Sequence, residues 1–380
     1  ILFFFKYSDF IISNINLITG FNIPLLNIPL PIGVSFNTFQ SLSYIIDVYR
    51  GTVKCEKSFY NYLTYTTLFP QIIAGPIVRY ETVDEELVDK KISMNNFTKG
   101  MKRFILGLGK KVLIANNVGK LWSIIESGSY ITLSPALAWL GLVAFALQIY
   151  FDFSGYSDMA IGLANIFGMN FDENFNYPYI SKSITEFWRR WHITLSSWFK
   201  DYIYIPLGGN RKGLAKQIRN ILIVWFLTGA WHGASWNFIL WGLYFGVILI
   251  LEKMFLLKFL EKIPAIFRHI YTIFLVLISW LIFAFEDLGK IGEYFKALFN
   301  FNYSYSYNSE GIYYLKNYAI IIIIGIILST PIITKLLKKM ETKNKLLPSL
   351  ITSFIYIAIF IFSTSYLVSD SFNPFLYFRF

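Results

Sequence analysis

Long apolar runs with almost no charge recur along the chain, and they constrain its fold more than any other feature. Ile221–Ile250, Ile270–Phe285, Tyr318–Ile333 and Leu350–Leu367 are each long enough to supply a membrane helix of roughly 20 residues, and the first is long enough for two. Only 15% of the residues are charged, whereas about 25% is usual in a soluble domain. The sequence therefore predicts an all-α, polytopic integral membrane protein.

Lysine and arginine residues concentrate in the short connections between these apolar runs. The chain carries 34 Lys and Arg against 23 Asp and Glu, which gives a formal charge of +11. Such an excess can indicate nucleic acid or a membrane, and its placement here is the positive-inside pattern of cytoplasmic loops. No nucleic-acid partner is expected. The basic connections are Lys102–Lys111, Asn210–Arg219, Lys253–Arg268 and Lys335–Lys345.

In the later half of the chain, the basic loops alternate with loops that are poor in Lys and Arg. The poor loops are His232–Trp236, Glu286–Leu315 and the residues after Ser369. If the basic loops are cytoplasmic, helices of about 20 residues place these three loops on the outer side of the membrane. This topology predicts that His232 lies towards the outer end of its helix.

The earlier half is less regular. Pro31–Tyr49 and Leu133–Tyr150 are predicted to span the membrane, but prolines and a glycine interrupt the apolar run Phe69–Val78. That pattern is typical of a broken or re-entrant segment, which survives at membrane depth only under cover of protein or beside a water-filled cavity. Ser183–Tyr204 mixes tryptophans with charged residues, so we expect it at the membrane interface or inside a cavity.

One membrane domain is expected over residues 1–380, because the sequence contains no internal repeat, low-complexity tract or soluble linker. The chain opens inside an apolar run at Ile1, without a start methionine or a positively charged signal region. We therefore expect that the true N-terminus is missing. Cys55 is the only cysteine, which excludes intrachain disulfides and thiolate metal clusters.

His232 is a histidine within an apolar, tryptophan-rich run, flanked by Gly229 and Gly233. An ionisable residue at membrane depth is a functional hypothesis by default. Apolar surroundings favour the neutral imidazole, which is the form that a general base needs to take a proton from a hydroxyl. The glycines would let neighbouring backbone or a substrate approach closely. From the residue alone, a histidine that only bonds a neighbouring helix is an equally good interpretation.

Two further histidines carry weaker signals. His192 lies among arginines and a lysine, where an interfacial histidine needs no function, and His269 resembles a residue at the cytoplasmic interface. Neither forms His-x-x-x-His or Glu-x-x-His spacing with another residue, so no metal site is predicted.

Two other stretches allow both a functional and a structural interpretation. Leu207–Gly213 is rich in glycine but matches no phosphate-binding fingerprint, so a cytoplasmic turn is favoured over coenzyme contact. Asn373–Phe380 is an aromatic stretch that would ordinarily anchor at the membrane interface. Tyr377 within it could instead carry an acyl group if a base activates its hydroxyl.

Taken together, these stretches resemble the membrane-bound O-acyltransferases, and within that family the bacterial alginate O-acetylase and peptidoglycan O-acetyltransferase type. Long ordered strings of this kind are far more specific than a lone short motif. The matching pieces run the length of the chain and are Phe69–Tyr80, Phe151–Asp158, Phe187–Gly213, Gly229–Trp236 and Asn373–Phe380.

The resemblance implies a helical bundle with a central tunnel, in which an acyl donor from the cytoplasm and an acceptor from the other face meet. Family proteins usually have more chain before the segment equivalent to Ile1, so their first spanning helices are expected to be missing here. In that family the histidine of the Trp-His-Gly string is catalytic, which carries over to His232. The histidine of the Trp-Arg-Arg-Trp-His string is a second essential residue, which carries over to His192. The resemblance therefore favours chemistry over packing for both.

It further implies O-acetylation of a polysaccharide acceptor, such as alginate, peptidoglycan or another exopolysaccharide, at the bacterial cytoplasmic (inner) membrane. Acetyl-CoA is the expected donor substrate, with no bound cofactor. Membrane lipid surrounds such a protein, and a separate extracytoplasmic acetyltransferase often completes the transfer as its partner.

Within this mechanism His232 acts as the base. The hydroxyl that it activates belongs to the sugar, to a serine of the partner enzyme, or to Tyr377 acting as a relay, and the sequence leaves these three open. Arginines at the site would hold the donor's phosphates or stabilise the developing oxyanion. The side chains expected to contact substrate are Arg189, Arg190, Trp188, Trp231 and Trp236.

A different class of protein is the alternative interpretation. In a proton-coupled transporter or flippase, the histidines would form a proton relay and the basic loops would hold an anionic lipid or sugar. Such carriers often show paired broken helices in corresponding halves. Only one broken segment, Phe69–Val78, is evident here, which favours the acyltransferase.

Overall fold

Helices account for nearly all regular structure in the computed structural model, which describes residues 2–31, 33–130, 133–300, 309–341, 346–370 and 374–376. Over those ranges there is no β-strand, only one isolated bridge between Phe175 and Trp191. The all-α prediction is confirmed. The α-helices are α1 Leu2–Thr19, α2 Val34–Arg50, α3 Phe59–Thr66, α4 Asp84–Val88, α5 Met94–Gly109, α6 Asn116–Glu126, α7 Pro135–Ile166, α8 Ile184–Trp188, α9 Ile193–Phe199, α10 Leu214–His232, α11 Trp236–Leu251, α12 Leu257–Leu260, α13 Ala265–Ala284, α14 Leu288–Phe299, α15 Ser309–Leu328, α16 Ile332–Glu341 and α17 Leu346–Ser369.

Shorter helical segments lie between these elements. Three of them have the wide π-helical hydrogen-bonding pattern, and each is continuous with an α-helix on at least one side. Turns of this kind are rare and occur often at functional sites. The π segments are Lys110–Ala115, Lys200–Tyr204 and Glu252–Leu256, and the 3₁₀ segments are Tyr80–Thr82 and Pro178–Ile180.

Five helices in the described part of the chain are long and apolar enough to cross a membrane, which confirms a multi-pass membrane protein. On α15 and α17, large side chains such as Ile320 and Phe354 are exposed, as expected for surfaces that face lipid. The five spans are Pro135–Ile166, Trp236–Leu260, Ala265–Ala284, Glu310–Leu328 and Leu346–Ser369.

Three predicted spans differ from the candidate spans of the structure. Ile221–Ile250 was predicted to supply two spans, but its first half lies in α10, which is not one of the five. The run Tyr318–Ile333 was expected to be one span, but α15 begins at Ser309 and ends at Leu328. Pro331 explains the end, because a proline disfavours helical backbone in the residue before it. The predicted span Pro31–Tyr49 forms helix α2, which is not one of the five candidate spans and buries the carboxylate of Asp47.

Helix α7 forms the centre of the molecule. Its 32 residues are buried on nearly every side, as expected for a helix that is apolar all round. Glycines set its close packing against α5, since a Cβ added to Gly107 would lie 2.5 Å from the carbonyl oxygen of Gly155. Small residues are the usual means by which membrane helices approach so closely. This arrangement fixes Asp152, at mid-helix, in the protein interior.

Two irregular segments lie against this centre. Phe69–Val78 contains no helix, as predicted, and several of its residues are buried under neighbouring elements. The main-chain N–H of Ile77 donates to the hydroxyl of Thr194 at 3.0 Å, which ties the segment to α9. Ser183–Tyr204 folds into α8, α9 and a π segment. The tryptophans of this stretch are buried. These tryptophans pack in the protein interior, and the predicted location at the membrane interface or inside a cavity stays a prediction.

Candidate active site

His232 is the last residue of α10, and it lines a cavity of about 40 Å³. Three aromatic rings surround the imidazole, with centroid distances of 4.8 Å to Trp231, 4.9 Å to Trp241 and 5.3 Å to Phe283. Such apolar surroundings disfavour a charged imidazole. The other residues that line this cavity, here called the His232 cavity, are Ala74, Ile149, Asp152, Phe153, Tyr156, Trp191, Trp280, Phe375 and Leu376.

The flanking glycines pack α10 against α11. A Cβ on Gly229 would lie 2.3 Å from the carbonyl oxygen of Phe238, and one on Gly233 would lie 2.1 Å from the Phe238 ring. The expected close approach of backbone is confirmed. In both cases the neighbour is protein, so neither glycine leaves open space for a substrate.

Helix α1 holds the end of α10. The ammonium of Lys6 donates to the carbonyl oxygens of Trp231 and His232 at 2.7 Å each, and the hydroxyl of Tyr7 donates to that of Ala230. The last carbonyls of a helix lack partners within it and carry partial negative charge. The Lys6 ammonium supplies both a hydrogen-bond donor and a positive charge to these carbonyls, and it thereby fixes the end of α10 that carries His232. The only sequence signal of Lys6 was a lone lysine in an apolar run.

His192 caps the start of α9 with a left-handed backbone (φ 44°) and is 1% exposed. Its Nδ1 lies 3.0 Å from Oδ1 of Asn174, an oxygen that also accepts the hydroxyl of Thr194 at 2.9 Å. The amide nitrogen of Asn174 donates to Ser157 Oγ at 3.1 Å. Because an amide oxygen only accepts, His192 carries its proton on Nδ1. Its buried Nε2, which has no hydrogen-bond partner among the described residues, keeps a lone pair.

The structure brings both histidine rings close to one indole. The ring of Trp231 lies 6.2 Å from that of His192 and 4.8 Å from that of His232, measured between centroids. Phe153 contacts His192 at 4.7 Å and also lines the His232 cavity. Burial lowers the pKa of His192, which lies outside the five candidate spans, to about 3. It is therefore neutral at ordinary pH.

A second cavity of about 170 Å³ lies along the middle of α10, beside the end of α11. Its mouth carries the exposed ammonium groups of Lys200 and Lys253, and the exposed guanidinium of Arg189 lies close enough to Lys253 for their charges to repel. Its walls are mostly apolar. The other residues that line this cavity, here called the basic-side cavity, are Trp188, Leu195, Ser196, Phe199, Tyr204, Ile221, Val224, Trp225, Thr228 and Leu249.

Indole rings separate the two cavities. Trp188 and Trp225 line the basic-side cavity, and their rings lie 5.7 and 6.3 Å from that of Trp241, which lines the His232 cavity. The indole N–H groups of Trp188 and Trp241 are buried, and no described residue accepts a hydrogen bond from either. Buried donors of this kind usually have a partner. They are therefore available to a polar atom of a substrate, while an open tunnel between the cavities remains a prediction.

The other predicted contact residues lie further from His232. Arg190 forms an ion pair with Glu186 at 2.9 Å, and Trp236, which is 50% exposed, donates to Asn14 on α1 at 3.0 Å. Neither lines the His232 cavity. Tyr377 lies outside the described residues.

Two stretches without a predicted catalytic role have structural functions. Gly208, Gly209 and Gly213 all have positive φ, so Leu207–Gly213 is a turn, which agrees with the favoured interpretation. His269 places Nδ1 3.1 Å from the carbonyl oxygen of Ser181 and so bridges α13 to the segment before α8. Among the described residues, no group of His, Cys, Asp and Glu could hold a metal ion.

A buried ion pair at the His232 cavity was not predicted. Lys111 Nζ lies 2.5 Å from Asp152 Oδ1, and both side chains are less than 10% exposed. Lys111 ends the stretch Lys102–Lys111, which was predicted to be a basic cytoplasmic connection. The structure instead places it in a buried π segment that continues α5. Asp152, a charged residue within an apolar stretch, was the available signal for the pair. The two residues are 41 positions apart, so only the packing of the π segment 110–115 on α7 shows that they meet.

Comparison with known proteins agrees with this architecture. Residues 53–287 match the sequence model of the membrane-bound O-acyltransferase family. The chain is 41% identical over 307 residues to a probable alginate O-acetylase of Azotobacter vinelandii, and 35% identical over 329 residues to a peptidoglycan O-acetyltransferase of Helicobacter pylori. Each match covers 79% of this chain.

A more distant relative is a teichoic acid D-alanyltransferase of Bacillus subtilis, which is 29% identical over 235 residues, or 59% of this chain. The chain spans about three fifths of the length of these relatives, namely 61%, 62% and 59% in the same order. The family match nevertheless covers both histidines and the two cavities' principal walls. The chain therefore belongs to the membrane-bound O-acyltransferase family.

Proposed function

We propose that this protein moves an acetyl group from a thioester donor, acetyl-CoA, to a hydroxyl for the O-acetylation of a cell-envelope polysaccharide. The observation that carries the proposal is the position of His232. Its imidazole is neutral and lies in an apolar cavity, and indole rings separate that cavity from the basic-side cavity. Donor and acceptor would enter from different cavities and react at the indoles between them.

The basic-side cavity suits the donor. Acetyl-CoA is polyanionic at one end and carries its thioester at the end of a long arm. Arg189, Lys200 and Lys253 would hold the phosphates at the mouth, because charge-assisted hydrogen bonds to phosphate are strong. The apolar walls would take the arm towards Trp188 and Trp225. In this arrangement the basic loops face the cytoplasm of the inner membrane, where the donor is made.

The His232 cavity suits the chemistry. The imidazole takes the proton of the attacking hydroxyl, whose oxygen bonds to the thioester carbonyl carbon. The tetrahedral intermediate collapses, the carbon–sulfur bond breaks, and the imidazolium returns its proton to the departing thiolate. The indole N–H of Trp241 is a donor available to the oxyanion. His192, neutral and with Nε2 as acceptor, would hold the hydroxyl or a water in place.

The names of the relatives point to an acceptor in the cell envelope. Those relatives are called an alginate O-acetylase, a peptidoglycan O-acetyltransferase and a teichoic acid D-alanyltransferase. A polysaccharide is therefore the proposed final acceptor, with an extracytoplasmic acetyltransferase as the partner that completes the transfer. Tyr377 is the proposed first hydroxyl, since it follows Leu376, which lines the His232 cavity, directly in the sequence.

The test is acetyl transfer by the purified protein in proteoliposomes with radiolabelled acetyl-CoA. We expect thioester cleavage and label on the acceptor, and a loss of about 10²- to 10⁴-fold for His232→Ala. His269→Ala is the matched control, because it removes a histidine that lines neither cavity. Equal rates for His232→Ala and His269→Ala would refute the proposal, and uptake of label without thioester cleavage would indicate a transporter.

Tyr377→Phe tests the relay separately. It removes the proposed carrier oxygen and leaves the ring, so transfer to the polysaccharide should stop while the protein remains folded. If Tyr377→Phe retains full transfer in a system that contains the partner, the acceptor hydroxyl belongs to the sugar or to the partner, and the relay is excluded.

A further inference from the structure

The buried ion pair Lys111–Asp152 also binds main chain. Lys111 Nζ donates to the carbonyl oxygen of Pro374 at 3.0 Å, and Asp152 Oδ2 accepts the N–H of Leu376 at 2.7 Å. Between these two bonds, the Phe375 ring lies under the same ammonium at 4.7 Å. The pair thus contacts three consecutive residues through one acceptor, one ring and one donor.

Two of those three residues form part of the wall of the His232 cavity. Phe375 and Leu376 line the His232 cavity, and Leu376 is only 7% exposed. The edge of Phe375 packs on the ring of Tyr156, another lining residue, at 4.9 Å between centroids. Part of the cavity wall therefore belongs to the segment Pro374–Leu376. It is bound by Asp152 of α7 and Lys111 of the π segment, both of which are more than 200 positions away in the sequence.

Because the Lys111–Asp152 pair is buried, it needs hydrogen-bond partners from the protein. A buried ion pair is satisfied only when further hydrogen bonds occupy the remaining lone pairs and protons of its members. Lys111 is 6% exposed and Asp152 is 3% exposed, so solvent has little access to either. The main chain of Pro374–Leu376 supplies an acceptor to the ammonium and a donor to the carboxylate.

We propose that Lys111 and Asp152 are positioning residues that clamp Pro374–Leu376 as a closed wall of the His232 cavity. The clamp recognises main-chain groups, so it holds the segment largely independently of side chains. Its functional consequence, which rests on the proposed acetyl transfer, is the exclusion of water: with the wall in place the activated acetyl group meets the acceptor hydroxyl, and without it water attacks the thioester.

The position of the wall can be measured without any acyl transfer. In a Cys55→Ser background, Leu376→Cys provides one thiol for a membrane-permeant maleimide. We expect Lys111→Met to speed alkylation about tenfold or more, because the segment opens locally. Asp152→Asn, which keeps an oxygen for the Leu376 N–H but loses the charge, should have a smaller effect. Lys120→Met is the matched control, since Lys120 pairs with Asp370 at 2.8 Å on the exposed surface.

A second set of variants leaves the buried charges intact. With Phe375→Cys as the labelled residue, Leu376→Pro removes the N–H that Asp152 accepts, whereas Leu376→Ala keeps it. Faster alkylation for Leu376→Pro than for Leu376→Ala supports the clamp even if Lys111→Met does not fold. Equal alkylation in that pair, or in Lys111→Met and Lys120→Met, would overturn it.

Activity measurements then show what the wall does. The ratio of acetyl-CoA hydrolysis to acetyl transfer should rise in Lys111→Met and Leu376→Pro, and stay at the parent value in Lys120→Met. An unchanged ratio despite faster alkylation would overturn the water-exclusion role. If alkylation changes as expected but no variant, nor the parent, cleaves acetyl-CoA, the clamp stands and the proposed donor is wrong.

Discussion

Glu252 Oε2 accepts both the main-chain N–H and the hydroxyl of Thr185, each at 2.7 Å. Its Oε1 accepts the N–H of Ile184 at 2.7 Å and the hydroxyl of Tyr271 at 3.2 Å. Glu252 is fully buried, and it joins the end of α11 to the first turn of α8, the helix that carries Trp188. The Glu252 carboxylate therefore fixes the position of α8 and of Trp188, one of the indoles between the two cavities.

Glu252→Gln should destabilise the protein. The two main-chain N–H groups at Glu252 can only donate, so an amide nitrogen in place of either oxygen would oppose a donor. We expect a loss of about 1.5–3 kcal/mol, the range for hydrogen bonds to a charged group. Thermal unfolding in detergent measures it. Glu261→Gln, at an exposed position nearby, should have almost no effect, and a similar loss in both variants would refute the capping role.

Asn174→Asp should change the titration of His192. A carboxylate at 3.0 Å from Nδ1 stabilises the imidazolium, so the pKa of His192 should rise from about 3. The neutral ring would then exist only above the raised pKa, and acetyl transfer would fall as the pH drops through it. Titration of ¹⁵N-labelled histidine in nanodiscs measures the pKa. Asn176→Asp, an exposed change two residues away, should leave the curve unmoved.

Gly229→Ala should separate α10 from α11. The new Cβ would lie 2.3 Å from the Phe238 carbonyl oxygen, which is main chain and cannot rotate away. Overpacking of this kind costs about 1–3 kcal/mol. Both the unfolding temperature and the transfer rate should fall, because His232 lies one turn further along the helix. Gly292→Ala on α14 has open space around its Cβ and should be neutral or slightly stabilising; parity of the two variants would contradict the packing role.

Lys6→Met should weaken the end of α10. It keeps the apolar stem but removes the ammonium that binds the carbonyl oxygens of Trp231 and His232. We expect a loss of about 1.5–3 kcal/mol in unfolding free energy and slower acetyl transfer with little change in donor KM. Tyr7→Phe, which loses one neutral hydrogen bond to Ala230, should cost about 1 kcal/mol. Full transfer by Lys6→Met would show that His232 needs no support from α1.

Local pattern predicted the long apolar helices α7, α11, α13 and α17, because apolar length depends on neighbouring residues. It missed α14, which lies within the predicted loop Glu286–Leu315. The break between α10 and α11 at His232–Trp236 was predicted, and so was the non-helical segment Phe69–Val78. The error at Tyr318–Ile333 arose from a local signal, Pro331, that hydropathy outweighed. Prediction from pattern was therefore most reliable where one short stretch of chain decides the structure.

Contacts between distant parts of the chain could not be predicted in this way. Lys6 meets His232 across 226 positions, and Lys111 meets Pro374 across 263. A charge in an apolar run signals that it has a partner but not which one. The proposed role of His192 came from family resemblance, and its tautomer came only from the position of Asn174.

The left-handed backbone of His192 (φ 44°) affects how its chemistry can be probed. Few residues other than glycine adopt this conformation readily, and asparagine, aspartate and histidine are the usual exceptions. Replacement by alanine would therefore remove the imidazole and strain the turn into α9 at once, and lost activity could not be traced to either. Asparagine tolerates the backbone and offers no base, so His192→Asn isolates the ring. The choice of substitution at this residue decides whether a mutational experiment reports on catalysis or on folding.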